Sequence, residues 1–289
     1  MKKAYTIEKR RIPSGDYQMK LLILRPAARK KPREQTPGIL WIHGGGYVTG
    51  MAGMIYFSRA IALVKKYGAV VITPEYRLAG KAPYPAALQD CYAALSYLYD
   101  HAAELSINPR QLMIGGESAG GGLTAALCMY ARDQGKIPIA FQMPLYPMLD
   151  DRDTPSSSRN HRLPWNTFFN HAAWKKYLAN IKGAPPPYAA PARQQDYAAL
   201  PPAYTFVGSK EPFYCETLAY TENLQKAGVP AHCHVYPTGF HAFDMLLPFR
   251  KISRQAIAAF ERQYLYASAH YFAGPEAESS CIPPDNPIE

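Results

Sequence analysis

The 289-residue chain is expected to fold as an α/β protein around a mostly parallel sheet, and three observations carry that expectation. Short apolar runs alternate with amphipathic stretches from about residue 18 to residue 267, the pattern of strands and crossover helices feeding one parallel sheet. Gly and Pro punctuate the changes from one to the other, at Gly68, Pro85, Gly228 and Pro230. The composition, 48% apolar and 19% charged, suits a packed core rather than a disordered chain. Because the rhythm recurs along the chain to residue 267, one domain spanning residues 1–289 is expected, with no internal repeat.

Met19 to Leu24 and Ile39 to Ile42 read as strands, and Ile55, Ala60, Leu63, Val64 and Tyr67 mark a helix that Gly68 ends. Ala69 to Thr73 is a β-branched run and the next strand. A helical stripe through Leu88, Cys91, Tyr92, Leu95 and Leu98 starts just after Pro85, where proline is tolerated. Leu112 to Gly115 is a strand, Leu123 to Tyr130 a helix, and Ile139 to Met143 a strand. Between about Asp150 and Leu200 the rhythm breaks into Ser, Pro and aromatic residues around one helical segment, Thr167 to Leu178. Residues 152–198 are therefore expected to form a cap over the sheet. The alternation then resumes with strand Tyr204 to Val207, helix Glu216 to Ala227, strand His232 to Tyr236 and helix Phe249 to Tyr264. The Pro- and Ser-containing tail, 274–289, is expected to be mobile.

Gly116-Glu117-Ser118-Ala119-Gly120 fits G-x-S-x-G, and it falls between a predicted strand and a predicted helix, where that motif makes a sharp turn. Ser118 would project from the carboxyl edge of the sheet, with the N-terminus of the following helix behind it to favour a developing oxyanion. His43-Gly44-Gly45-Gly46 follows the strand Ile39 to Ile42. Consecutive glycines let backbone N–H groups approach a ligand, so Gly45, Gly46 and Ala119 are the expected oxyanion donors. A phosphate loop would need G-x-x-x-x-G-K-[ST] or G-x-G-x-x-G after a strand, and neither is present.

A serine hydroxyl needs a base, and the base needs an acid to orient it. His241 follows the strand His232 to Tyr236 on a loop at the expected edge. His232 and His234 alternate within that strand and have no third ligand at metal-site spacing, so no metal site is expected. In the chain order serine, acid, histidine, Glu211 follows strand Tyr204 to Val207 and is the expected acid. Asp150, Asp151 and Asp244 are the alternatives.

These motifs resemble the hormone-sensitive-lipase-like branch of the α/β-hydrolases, the bacterial family IV esterases. The resemblance extends to Glu75-Tyr76-Arg77-Leu78-Ala79 with Pro85-Ala86-Ala87-Leu88, and to Leu200-Pro201-Pro202-Ala203 and Ala227-Gly228-Val229-Pro230. It implies an α/β-hydrolase fold of about eight strands with helices on both faces. It also implies hydrolysis of carboxylic esters through an acyl-serine, with Ser118 as nucleophile and His241 as base and then acid. Two departures stand out. Glu211-Pro212 occupies the place of the usual Asp-Pro, and only 42 residues precede His43, which implies a more open pocket. Tyr47, Trp165, Phe168 and Phe169 are the expected pocket walls, short acyl esters the expected substrates, and Glu117 a hydrogen-bonded anchor. Amide, formamide or peptide hydrolysis would use the same groups. A non-catalytic receptor on this fold would have no need of His241.

The excess of 32 Lys+Arg over 22 Asp+Glu, +10, clusters at Lys9, Arg10 and Arg11 and at Arg29, Lys30, Lys31 and Arg33. With no zinc-finger spacing, RNA-binding signature or basic helix beside them, these read as solvated surface. No apolar run approaches the ~18 residues of a membrane span. Charges at Glu8 to Arg11 leave no room for the core of a signal peptide. The five cysteines, Cys91, Cys128, Cys215, Cys233 and Cys281, have no recurring spacing and suit a reducing compartment. The expectation is a cytoplasmic enzyme without cofactor, acting on a small-molecule ester, with no nucleic-acid or membrane partner and with a homodimer allowed.

Overall fold

The computed structural model describes residues 4–27 and 36–274. Its elements in chain order are β1 (Tyr5–Ser14), β2 (Tyr17–Pro26), β3 (Thr36–Ile42), α1 (Ala60–Tyr67), β4 (Val70–Pro74), α2 (Ala86–Asp100), α3 (Ala102–Leu105) and β5 (Ile107–Glu117). There follow α4 (Ala119–Gln134), β6 (Phe141–Leu145), α5 (Thr167–Tyr177), β7 (Ala203–Gly208), α6 (Tyr214–Lys226), β8 (Ala231–Tyr236), α7 (Phe243–Leu246) and α8 (Lys251–His270). The eight strands form one sheet in the order β1-β2-β4-β3-β5-β6-β7-β8. β3 to β8 run parallel, while β2 is antiparallel to both β1 and β4.

Alternation along β3 divides its side chains between the two faces of the sheet. Leu40 and Ile42 join Ile72 and the inner stripes of α2, α4 and α6 in one hydrophobic cluster. Ile39 and Trp41 join Val71, Phe206 and the inner faces of α1 and α8 in the other. Helices thus cover both faces, as parallel sheets require. The segment between β6 and β7 carries α5, capped by Asn166, whose side chain accepts from the Phe169 N–H at 3.1 Å. It packs down through buried Trp174 and Tyr177.

The structure departs from the sequence reading at several elements: β5 begins at Ile107 rather than Leu112, α1 at Ala60 rather than Ile55, and the short α3 is additional. β1 was not expected: its Glu8, Lys9, Arg10 and Arg11 read as charge, whereas they belong to an edge strand whose charged residues discourage pairing with another chain. It closes on β2 through the two-residue turn Gly15-Asp16, with Gly15 at φ +58°. β6 lies two residues later than expected, because its register sets Phe141 beside Met113 and Leu145 beside Glu117. α8 runs on to His270. Arg29, Lys30, Lys31, Arg33, Cys281 and the tail 275–289 lie outside the described residues.

Candidate active site

The carboxyl ends of β3, β5, β6, β7 and β8 lie along one edge of the sheet, and the sequence places its reactive residues just beyond them. Ser118 sits between β5 and α4 at φ +58° and ψ −119°, a conformation that L residues rarely adopt. The turn is tight on both sides. A Cβ at residue 116 would lie 2.5 Å from the Ile42 carbonyl oxygen, and one at residue 120 would lie 2.1 Å from the same oxygen, so glycine is required at both positions. The Ser118 N–H donates to the Leu145 carbonyl at 3.0 Å, tying the turn to β6.

His241 Nε2 lies 2.9 Å from Ser118 Oγ, and Nδ1 makes a short contact with Glu211 Oε2. The other Glu211 oxygen accepts from the Gly208 N–H at 2.7 Å, so the backbone at the end of β7 aims the carboxylate. All three side chains are buried. Tyr146 and Phe213 set ring edges against the imidazole, with centroids 5.1 and 5.0 Å away. Sequence reasoning missed both; the available signal was their position directly after β6 and beside Glu211.

The loop after β3 touches the serine, since a Cβ at residue 44 would lie 3.2 Å from Ser118 Cβ. The Gly45 carbonyl accepts from the N–H groups of Val48 and Thr49, which holds the loop as a tight turn. Among the described residues, the N–H groups of Gly45, Gly46 and Ala119 have no hydrogen-bond acceptor. Behind them, His43 stacks on Tyr76 at 4.2 Å, and the Tyr76 hydroxyl donates to the His43 carbonyl at 3.0 Å. Burial lowers the His43 pKa to about 4, so the ring is neutral at pH 7.

The other acids are engaged elsewhere. Asp150 pairs with Arg152 at 2.8 Å, Asp151 with Arg193 at 2.6 Å and Asp244 with Arg59 at 3.1 Å. Glu117 Oε2 accepts from Trp41 Nε1 at 2.9 Å. Burial, reinforced by nearby Asp244, pushes the Glu117 carboxyl up to about 8.

The expected pocket aromatics separate. Trp165 and Phe169 line a cavity of about 340 Å³ beside the loop, together with Val48, Thr49 and Ala173, and Lys176 stands at its rim. Phe168 is 75% exposed and is absent from that lining, because it points off the outer side of α5. Tyr47 is 1% exposed and does not form a wall either. Its φ of +63° accompanies a buried placement, with the ring stacked on Tyr177 and the hydroxyl donating to the Met148 carbonyl at 2.8 Å. Ser118, Glu211 and His241 are not part of the cavity lining, which adjoins the glycine loop instead. A larger hollow of about 590 Å³ lies at the opposite, amino-terminal edge of the sheet, between Ile139, Pro201 and Phe272, remote from the reactive groups. Among the described residues, no group of three or more His, Cys, Asp or Glu could hold a metal ion. His234 Nδ1 instead lies 3.0 Å from the Tyr204 hydroxyl. No helix among them is long and apolar enough to cross a membrane.

The sequence profile of the α/β-hydrolase fold matches residues 39–245. The chain is 34% identical to Esterase LipI of Mycobacterium tuberculosis over 213 residues, which are 72% of this chain and 66% of that protein. It is 32% identical to Carboxylesterase NlhH of the same organism over 218 residues, 73% of this chain and 67% of that protein. The matched region thus spans about two thirds of the length of these curated relatives. Among solved structures, a bacterial heroin esterase superposes with a TM-score of 0.85 at 33% identity, covering 92% of this chain and 85% of that one.

Proposed function

The chain belongs to the α/β-hydrolase-fold family, in its hormone-sensitive-lipase-like branch, and from that premise we propose that it is a serine carboxylesterase acting on short-chain esters. The observation that carries the reading is the 2.9 Å contact between Ser118 Oγ and His241 Nε2, with Glu211 on the far side of the ring and free N–H groups opposite. Ser118 Oγ attacks the ester carbonyl as its proton passes to His241 Nε2. Glu211 holds Nδ1–H toward itself, so that Nε2 is the nitrogen left to accept. The negative charge on the former carbonyl oxygen is met by the N–H groups of Gly45, Gly46 and Ala119. Each such donor is typically worth about 2.7–4 kcal/mol at the transition state.

His241 then returns its proton to the leaving alkoxide as the C–O bond breaks, giving free alcohol and acyl-Ser118. Water repeats the sequence on the acyl-serine and releases the acid. The cavity of about 340 Å³ between Trp165, Phe169 and Val48 supports a short acyl group. Residues 152–198, which carry Trp165 and Phe169, act in this reading as a cap on a single domain. The free thiols of Cys91, Cys128, Cys215 and Cys233 support action in the cytoplasm.

The test is hydrolysis of p-nitrophenyl esters of graded acyl length by wild type and Ser118→Ala, with an anilide of the preferred acyl group alongside. Wild type should favour short esters over the anilide, and Ser118→Ala should lose several orders of magnitude while staying folded. Undiminished ester turnover by Ser118→Ala would refute the mechanism.

A further inference from the structure

α7, just after His241, has four residues, too few for a helix to hold itself together, so contacts from outside must fix it. Phe243 anchors one side in the core beside Phe206 and Tyr236, and the Ser253 hydroxyl donates to the Phe243 carbonyl at 3.0 Å. On the other side stands Arg59, the residue that opens α1. Its Nε is 3.1 Å from Asp244 Oδ2, and Nη2 donates to the Asp244 carbonyl at 3.3 Å and to the Phe57 carbonyl at 3.4 Å. The carboxylate contact is a charge pair rather than a directed hydrogen bond. The Asp244 side chain is wholly buried and that of Arg59 is 13% exposed.

The pair joins two parts of the site. Arg59 belongs to the segment running on from the glycine loop, 13 residues beyond Gly46, and Asp244 lies three residues beyond His241. Glu117, next to Ser118, is buried in the same cluster, and the Arg59 charge acts on both carboxyls. Tyr146 spans from this cluster to the imidazole, with its ring edge on His241 and its buried hydroxyl beside Asp244.

We propose that Arg59 is a positioning residue, which through Asp244 fixes α7 and hence the orientation of His241 relative to Ser118 and the glycine loop. The inference rests on the esterase reading above. Arg59 touches no reacting atom. Its removal leaves the buried Asp244 carboxyl without its cation and α7 without its outer anchor, so that the imidazole samples orientations from which Nε2 cannot take the serine proton. A misplacement of about 1 Å in such a relay costs up to about 100-fold in rate. The loss falls on kcat, because the cavity beside Trp165 is untouched.

The experiment is steady-state hydrolysis of p-nitrophenyl butyrate by wild type, Arg59→Met, Asp244→Asn and the double variant. Rates are normalised to active sites titrated with diethyl p-nitrophenyl phosphate, which releases one p-nitrophenol per phosphorylated serine. Each single variant should lose about tenfold or more in kcat per titrated site with KM within about twofold, and the double variant should be no worse than the weaker single, as members of one unit behave. Should Arg59→Met yield too few titratable sites, Arg59→Lys takes its place and should show a kcat between wild type and Asp244→Asn. Wild-type kcat per titrated site in the single variants, with only the number of sites reduced, would overturn the proposal and leave a merely structural contact. Losses that multiply in the double variant would overturn it as well. No ester turnover by wild type would remove the esterase reading itself, and the proposal with it.

Discussion

The six-membered ring of the Trp165 indole abuts the Gly46 backbone, so close that a β-carbon on residue 46 would sit 2.2 Å from Cη2. Trp165 therefore borders both the proposed oxyanion donors and the apolar cavity, held by a 3.4 Å contact from its Nε1 to Asn170 Oδ1. Trp165→Ala should lengthen the cavity. Each further buried methylene is worth about 0.8 kcal/mol, so the ratio of kcat/KM for octanoate over butyrate esters should rise by roughly tenfold or more. A parallel loss on both esters, with the ratio unchanged, would mean that the acyl group does not lie against this residue.

Glu211 and Asp150 provide a contrast between two carboxylates close to the same edge of the sheet. Glu211 meets His241 Nδ1 and is fully buried, whereas Asp150 holds the half-exposed Arg152. Glu211→Gln should lower kcat by about 10³–10⁴-fold, as loss of the orienting acid does in comparable triads. Asp150→Asn should stay within about threefold, since an ion pair with an exposed partner contributes little. The reverse order of effects, read from kcat per titrated site, would assign the acid elsewhere.

How much of this site was legible in the sequence depended on how local its causes are. Ser118 and the glycines could be read because a strand, a tight turn and a helix N-terminus are specified within a few residues. His241 and Glu211 could be read because each follows its own strand, and parallel strands bring those ends together. The tie between Arg59 and Asp244 joins residues 185 apart, and no local pattern marks either one. Tyr47 misled for the opposite reason: it adjoins Gly46 in sequence, yet the turn sends its ring beneath the site onto Tyr177. β1 went unread because charge on an edge strand hides its few apolar residues, whereas its partner β2 shows an unbroken buried run, Leu21 to Leu24.

Glu117 makes stability depend on pH in a definite direction. Its carboxyl is raised from 4.5 to about 8, so between these values the unfolded chain has released a proton that the folded protein still holds, and stability falls as pH rises. His43 acts oppositely, because its pKa is lowered from 6.5 to about 4, and its contribution is lost as pH drops through that window. Between pH 6.5 and 8 His43 is silent, while buried Glu216, also raised, adds to the trend set by Glu117. Urea denaturation across this window should show wild-type stability falling. Glu117→Gln should remove one proton's share of the slope, up to about 1.4 kcal/mol per pH unit. An identical slope in both proteins would mean that Glu117 is ionised throughout.

Ser118 is held at φ +58° and ψ −119°, where a non-glycine residue costs on the order of 1–3 kcal/mol. The fold sustains this because Ser118 N–H bonds to Leu145 and its carbonyl accepts from both Gly122 and Met148, leaving the backbone no alternative path. Ser118→Ala keeps the strain, whereas Ser118→Gly removes it, at a cost of about 0.4–1 kcal/mol for the freer unfolded chain. Both variants lack the hydroxyl, so their difference isolates the backbone. The glycine variant should be the more stable by about 1 kcal/mol, a rise of roughly 2 °C in Tm by calorimetry, against the usual order in which alanine exceeds glycine. Equal or greater stability of Ser118→Ala would show that the turn stores no strain. The predicted order would mean that the serine is retained at the expense of stability, because in this strained turn its Oγ stands 2.9 Å from His241 Nε2.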